Sequence, residues 1–262
     1  MEIILVLLLF LLPFLLAVFG LMKSFRFGIF KTPRETKTLI PENATAGGYH
    51  LLLEKHVEYY RRLSSIDKQQ FIYRTHTYLE MVKIQGRSGL ELTQEMRVLI
   101  AASCIKLTFG HAYYVPEIFN QVFLYPDAFS IYDSNVIMHG FTNPKGIIAF
   151  SWKTLKKSFE VHDDNRHLGI HEMAHALSFN GRKGGGEDYI FEQHLPLWQQ
   201  EALPVFQNIN NDNDYLRQYA AANMEEFFAV CMEQFFETPQ QFSAEHPKLY
   251  RAISLLLNQS GE

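Results

Sequence analysis

The chain has 262 residues, 47% apolar, 14% aromatic and 20% charged, which is enough for one sizeable core and too apolar for a disordered chain. Its 24 Lys and Arg stand against 28 Asp and Glu, a net charge of −4, so there is no global positive excess to neutralise phosphates, and direct nucleic-acid binding is disfavoured. The two cysteines, Cys104 and Cys231, are too few for a disulfide framework and lack a short metal spacing; both are expected as buried thiols, with one distant disulfide as the alternative.

The first predicted element is an apolar run at residues 3–22, twenty consecutive residues without a charge. As a helix it reaches roughly 30 Å, the thickness of a bilayer's hydrocarbon core, and it is too long and too weakly basic at its start for a cleaved signal peptide. Residues 1–22 are therefore expected to form one transmembrane helix. Lys23, Arg26, Lys31, Arg34 and Lys37 follow it, so the positive-inside rule places the rest of the chain in the cytoplasm. Residues 23–48 read as a basic flank and polar linker containing Pro33, Pro41 and the pair Gly47-Gly48.

Residues 49–262 are expected to form one domain. Leu51, Leu52, Lys55, His56 and Tyr59 begin an amphipathic helical pattern. Asp67 with Gln70 resembles a capping box opening a second helix through Phe71, Thr75, Tyr78, Leu79 and Val82. Thr93 caps a third, with Met96, Leu99, Ile100, Cys104 and Leu107 at helical spacing. Three short runs then predict strands of a small sheet, at residues 122–125, 136–138 and 147–150, before helices return. The glycines 184–186 mark a loop with no phosphate-binding context.

The chemistry concentrates in His171-Glu172-Met173-Ala174-His175. Two His four residues apart share one helical face, so both imidazoles can reach one metal ion, and the Glu after the first ligand can take a proton from the water that such an ion activates. A catalytic zinc usually has a third protein ligand. The metzincin extension is absent, since Ser178 and Gly181 stand where it needs Gly and His. A Glu from a later helix is the other common solution. The segment from Asn223 to Phe236 is strongly helical, and Glu226, 51 residues after His175, is the first candidate there, with Glu225 the alternative.

The block from His171 to Leu177, the later Tyr219-Ala220-Ala221-Ala222-Asn223-Met224-Glu225-Glu226-Phe227-Phe228-Ala229-Val230 and the closing Phe235-Phe236-Glu237-Thr238-Pro239 resemble the zinc-dependent peptidases of the Mlc titration factor A (DgsA anti-repressor) family. Leu124-Tyr125-Pro126-Asp127-Ala128-Phe129 and Ile148-Ala149-Phe150-Ser151-Trp152 are similar to strand segments of that family. The likeness covers roughly residues 50–257. It implies an α+β, zincin-like metallopeptidase domain, mostly helical with a small mixed sheet, whose active site is similar to the catalytic domain of anthrax lethal factor. In that likeness Glu226 is the third zinc ligand, and Tyr219, seven residues earlier, faces the reacting carbonyl.

Met173 stands where the family usually has Phe, Ser178 replaces a usual Asp, and the loop through residues 184–195 departs from the family's wording. None of these positions is an expected ligand. The expected activity is that of a membrane-anchored zinc metallopeptidase, an endopeptidase or an aminopeptidase. One zinc is held by His171, His175 and Glu226, Glu172 is the general base, and Tyr219 donates to the oxyanion. The strand at residues 147–150 is expected to offer a free edge for an extended peptide. The resemblance also implies an alternative, an interaction protein that binds and titrates a transcriptional repressor.

Overall fold

Ser64 accepts a hydrogen bond from the backbone N–H of Asp67 at 3.2 Å, and Thr93 from that of Met96 at 3.3 Å, so each side chain satisfies an N–H left over at a helix start. The computed structural model describes residues 48–116, 118–131, 136–182, 189–209 and 218–261, with the side chains at 181, 182, 189, 218 and 219 outside that description. Helices α1 (Tyr49–His56) and α2 (Glu58–Arg62) are separated by the extended backbone of Val57, and α3 (Ser65–Met81) begins after the Ser64 cap. That cap lies three residues before the predicted box at Asp67. The Ser64 hydroxyl also donates to the Asp67 carboxylate at 2.7 Å, which ties the turn shut from both ends.

Helix α4 (Gln94–Thr108) starts at Thr93, as its spacing predicts, and runs through the centre of the domain. Leu99, Ile100, Ile105 and Leu107 are fully buried, each contributing about 1.5–3 kcal/mol relative to exposure. Cys104 on this helix and Cys231 are both buried free thiols. The later helices are α5 (Trp152–Lys157), α6 (Leu168–Arg182), α7 (Tyr189–Asn208), α8 (Met224–Glu237), α9 (Pro239–Glu245) and α10 (Pro247–Leu257), with a 3-10 turn, Gln218–Ala221, ahead of α8. Helix α6 packs between α4 and α8, and α10 packs on α7.

Among the described residues there is one four-stranded sheet, made of β1 (Lys83–Gly86), β2 (Gln121–Tyr125), β3 (Gly140–Asn143) and β4 (Ile147–Ser151) in the order β1-β2-β4-β3. The first three strands in that order are parallel; β3 is antiparallel to β4, joined to it by a tight turn at Gly146, whose φ of +96° suits glycine. The architecture is thus α+β, mostly helical with a small mixed sheet.

Two strand expectations change. The run at 147–150 is paired on both sides, so β4 is interior and β3 is the edge. The physical reason is its composition: Ile148, Ala149, Phe150 and Ser151 are all buried, and a continuous apolar run belongs to a strand covered on both faces. Residues 136–138 form no strand; only Met138 pairs, through an isolated bridge to Phe129, while Val136 and Ile137 remain 61% and 67% exposed. β1 and β3 carry too few apolar residues to announce themselves.

The expected single-pass membrane placement is corrected. Among the described residues no helix is long and apolar enough to cross a membrane. The longest, α7, has 20 residues but carries Glu192, His194, Glu201 and two prolines, so it is amphipathic rather than apolar. The run at residues 3–22 on which the expectation rested, with most of the following linker, lies outside the described residues.

Candidate metal centre

Helix α6 is anchored at its start by three separate acceptors. The N–H of His167 donates to Glu233 Oε1 at 3.2 Å, that of Leu168 to Ser158 Oγ at 3.0 Å, and that of Ile170 to His167 Nδ1 at 3.2 Å. These are the amides that a helix leaves unpaired, and satisfying them fixes where the first turn sits. Gly169 lets α6 approach α4 at touching distance, because a Cβ there would lie 2.1 Å from Ser103 Oγ. Helix α8 is set by its own cap: Asn223 Oδ1 accepts from the backbone N–H of Glu226 at 2.9 Å. Glu226 therefore sits in the first turn of α8, where the helix dipole favours a carboxylate.

The two helices bring three of the predicted side chains together. His171 Nε2 is 3.2 Å from His175 Nε2; Glu226 Oε2 is 3.1 Å from His171 Nε2, and Glu226 Oε1 is 3.5 Å from His175 Nε2. One ligand atom from each lies within 4.8 Å of the others. Two imidazole nitrogens and a carboxylate oxygen are the donor set of a three-ligand catalytic metal site, so these residues fit a metal ion with a coordination position left over. Glu225 lines the same cavity but is not part of this trio.

Electrostatics tie the trio together. Burial opposes charge on His171, which is 8% exposed, yet the carboxylates of Glu226 and Glu233 outweigh it and push the imidazole up to about 10. Burial likewise opposes charge on Glu226, and hydrogen bonds to His171 and His175 hold its carboxyl well below the usual range. The protein has thus gathered opposite charge at one point, and an incoming cation displaces a proton from an imidazole there.

Glu172, 6% exposed, follows His171 on α6, and its carboxylate reaches the edge strand. The Thr142 hydroxyl donates to Glu172 Oε2 at 2.7 Å. Burial raises the Glu172 carboxyl above its ordinary value, partly offset by the positive field of His171 and His175. Gly140, two residues earlier on β3, leaves the space this carboxylate occupies: a Cβ there would lie 2.2 Å from Glu172 Oε1 and 2.6 Å from Leu168 Cδ1. Gly140→Ala is expected to lower stability by about 1–3 kcal/mol through this overpacking, read as a lowered urea midpoint at unchanged slope.

A cavity of about 910 Å³ opens over these groups, walled by β3, α6 and the start of α8, with Val136 and Ile137 at its margin. Tyr219 lies by its backbone in the 3-10 turn before α8, and its side chain is outside the described residues. None of Gly140, Thr142 and Glu233 stands out in the sequence as a site residue. Glu233 had one available signal, its position two helical turns after Glu226, whereas the other two owe their place to a strand pairing that the local sequence does not announce.

The model of the glucose-regulated metallo-peptidase M90 family matches residues 31–257. An uncharacterized protein of Synechocystis sp. is 26% identical over 225 residues, covering 78% of this chain and 81% of its own. Mlc titration factor A of Klebsiella pneumoniae is 25% identical over 210 residues, 72% of this chain and 78% of its own, and that of Serratia proteamaculans 26% over 216 residues, 75% and 82%.

Proposed function

The chain belongs to the glucose-regulated metallo-peptidase M90 family, and from that premise we propose that it is a zinc-dependent peptidase hydrolysing peptide bonds. The observation that carries this reading is the convergence of His171, His175 and Glu226 beside Glu172 in one open cavity. His171, His175 and Glu226 hold the ion, and a zinc ion bound there supplies Lewis acidity that acidifies water and polarises a carbonyl oxygen. Glu172 removes the proton of the attacking water and passes it to the leaving amine, a role suited to a buried carboxylate whose pKa is raised. Thr142 fixes the rotamer of that carboxylate through its hydroxyl. Tyr219, seven residues before Glu226, is assigned the hydrogen bond to the developing oxyanion.

A zinc-to-protein ratio combined with a peptide-library digest tests the reading. About one zinc per chain and a defined set of cleaved bonds are expected; a protein that takes up no stoichiometric zinc overturns it. A second reading follows from the relatives called Mlc titration factor A: the chain captures a transcriptional repressor, with peptide hydrolysis secondary. This reading requires binding to a repressor but not proton transfer by Glu172.

A further inference from the structure

We infer that Glu233 is the positioning residue for His171, fixing the ring so that its Nε2 lone pair faces the metal. The inference rests on the metallopeptidase reading above. Glu226 and Glu233 lie seven residues apart on α8, two turns along the same face. They meet the His171 ring from opposite sides, Glu226 Oε2 at 3.1 Å from Nε2 and Glu233 Oε1 at 3.5 Å from Nδ1.

Glu233 is only 3% exposed, and a carboxylate so deep in an apolar helix is costly unless partnered. The same Oε1 that faces Nδ1 also accepts from the backbone N–H of His167 at 3.2 Å. That second bond ties the carboxylate to the first turn of α6, so the acceptor and the ring it faces move as one body. An acceptor at Nδ1 selects the tautomer with its proton there, which leaves Nε2 free to coordinate and makes the ring a better donor. Without it the imidazole can turn about χ2 and present either nitrogen.

The test measures zinc affinity of the full-length protein by competition with a chromogenic chelator, for wild type, Glu233→Gln and Glu233→Ala. Loss of the acceptor in Glu233→Ala is expected to weaken zinc binding by about 10–100-fold. Glu233→Gln keeps an oxygen acceptor and loses the charge, so it should recover most of that loss while remaining several-fold weaker than wild type. A carboxylate that only staples α6 to α8 would lower the melting temperature of the metal-free protein without this graded effect on affinity. Melting of all three metal-free proteins shows which variants fold, and if only Glu233→Gln does, its affinity decides. Wild-type affinity in a folded Glu233→Ala, or in Glu233→Gln where that variant alone folds, overturns the positioning role alone. Failure of wild type itself to bind zinc overturns the peptidase reading and this inference together.

Discussion

Glu172→Gln is expected to lower the peptidase kcat by about 10²–10⁴-fold while one zinc per chain is retained. Glutamine has nearly the same shape, and its amide oxygen can still accept the Thr142 hydroxyl that now meets Glu172 Oε2 at 2.7 Å. What it cannot do is accept a proton. Glu172 is not one of the three converging ligand groups, so the trio of His171, His175 and Glu226 stays complete. Peptide turnover alongside metal analysis of the same preparation reads both quantities, and cleavage at the wild-type rate would place the base elsewhere. The same variant separates the two functional readings. Capture of a repressor by wild type and Glu172→Gln alike, with no cleavage by either, would favour the titration role.

Glu226→Ala should act on the other quantity. Structural zinc sites bind with about 10–16 kcal/mol shared over four ligands, so deleting one costs about 3 kcal/mol, or roughly 10²–10³ in affinity. The effect should be largest at this residue, because Glu226 spans both imidazoles with its two oxygens. Glu225→Ala is the control: it removes a neighbouring carboxylate of the same helix turn and should leave zinc affinity within a few-fold of wild type. A loss at Glu225 with none at Glu226 would reverse the assignment of the third ligand.

These two acids show what a sequence can and cannot say about such a site. The pair His171 and His175 is legible because a helix imposes its own period, which makes four residues apart mean one face. The choice between Glu225 and Glu226 depends on the phase of α8 about its axis. Spacing left it open, and the cap at Asn223 sets it in the fold. The helix after Thr93 is legible from its cap and apolar spacing and the segment from Asn223 to Phe236 as helical, whereas the α+β class is what the family resemblance implies.

Val136 and Ile137 have strand-forming side chains, but in the fold they remain exposed and only Met138 pairs. The run at 147–150 is the strand its composition predicts but has no free edge, since edge or interior is a property of its neighbours. Gly140 and Thr142 carry almost no local signal. The apolar run that points to a membrane lies outside the described residues, and among those no helix is long and apolar enough to cross one.

The four-residue strand β3 has a consequence for how this protein can vary. Gly140 and Thr142 alternate with Phe141 and Asn143, so the pleat sends the two pairs to opposite faces. The first pair is committed to the space and the hydroxyl that Glu172 requires. Variation that would retune what the cavity accepts is therefore channelled to Phe141, which also lines it, and to the exposed margin at Val136 and Ile137. Natural diversification or directed evolution of this scaffold can explore selectivity at those places while the proton-transfer geometry is inherited unchanged.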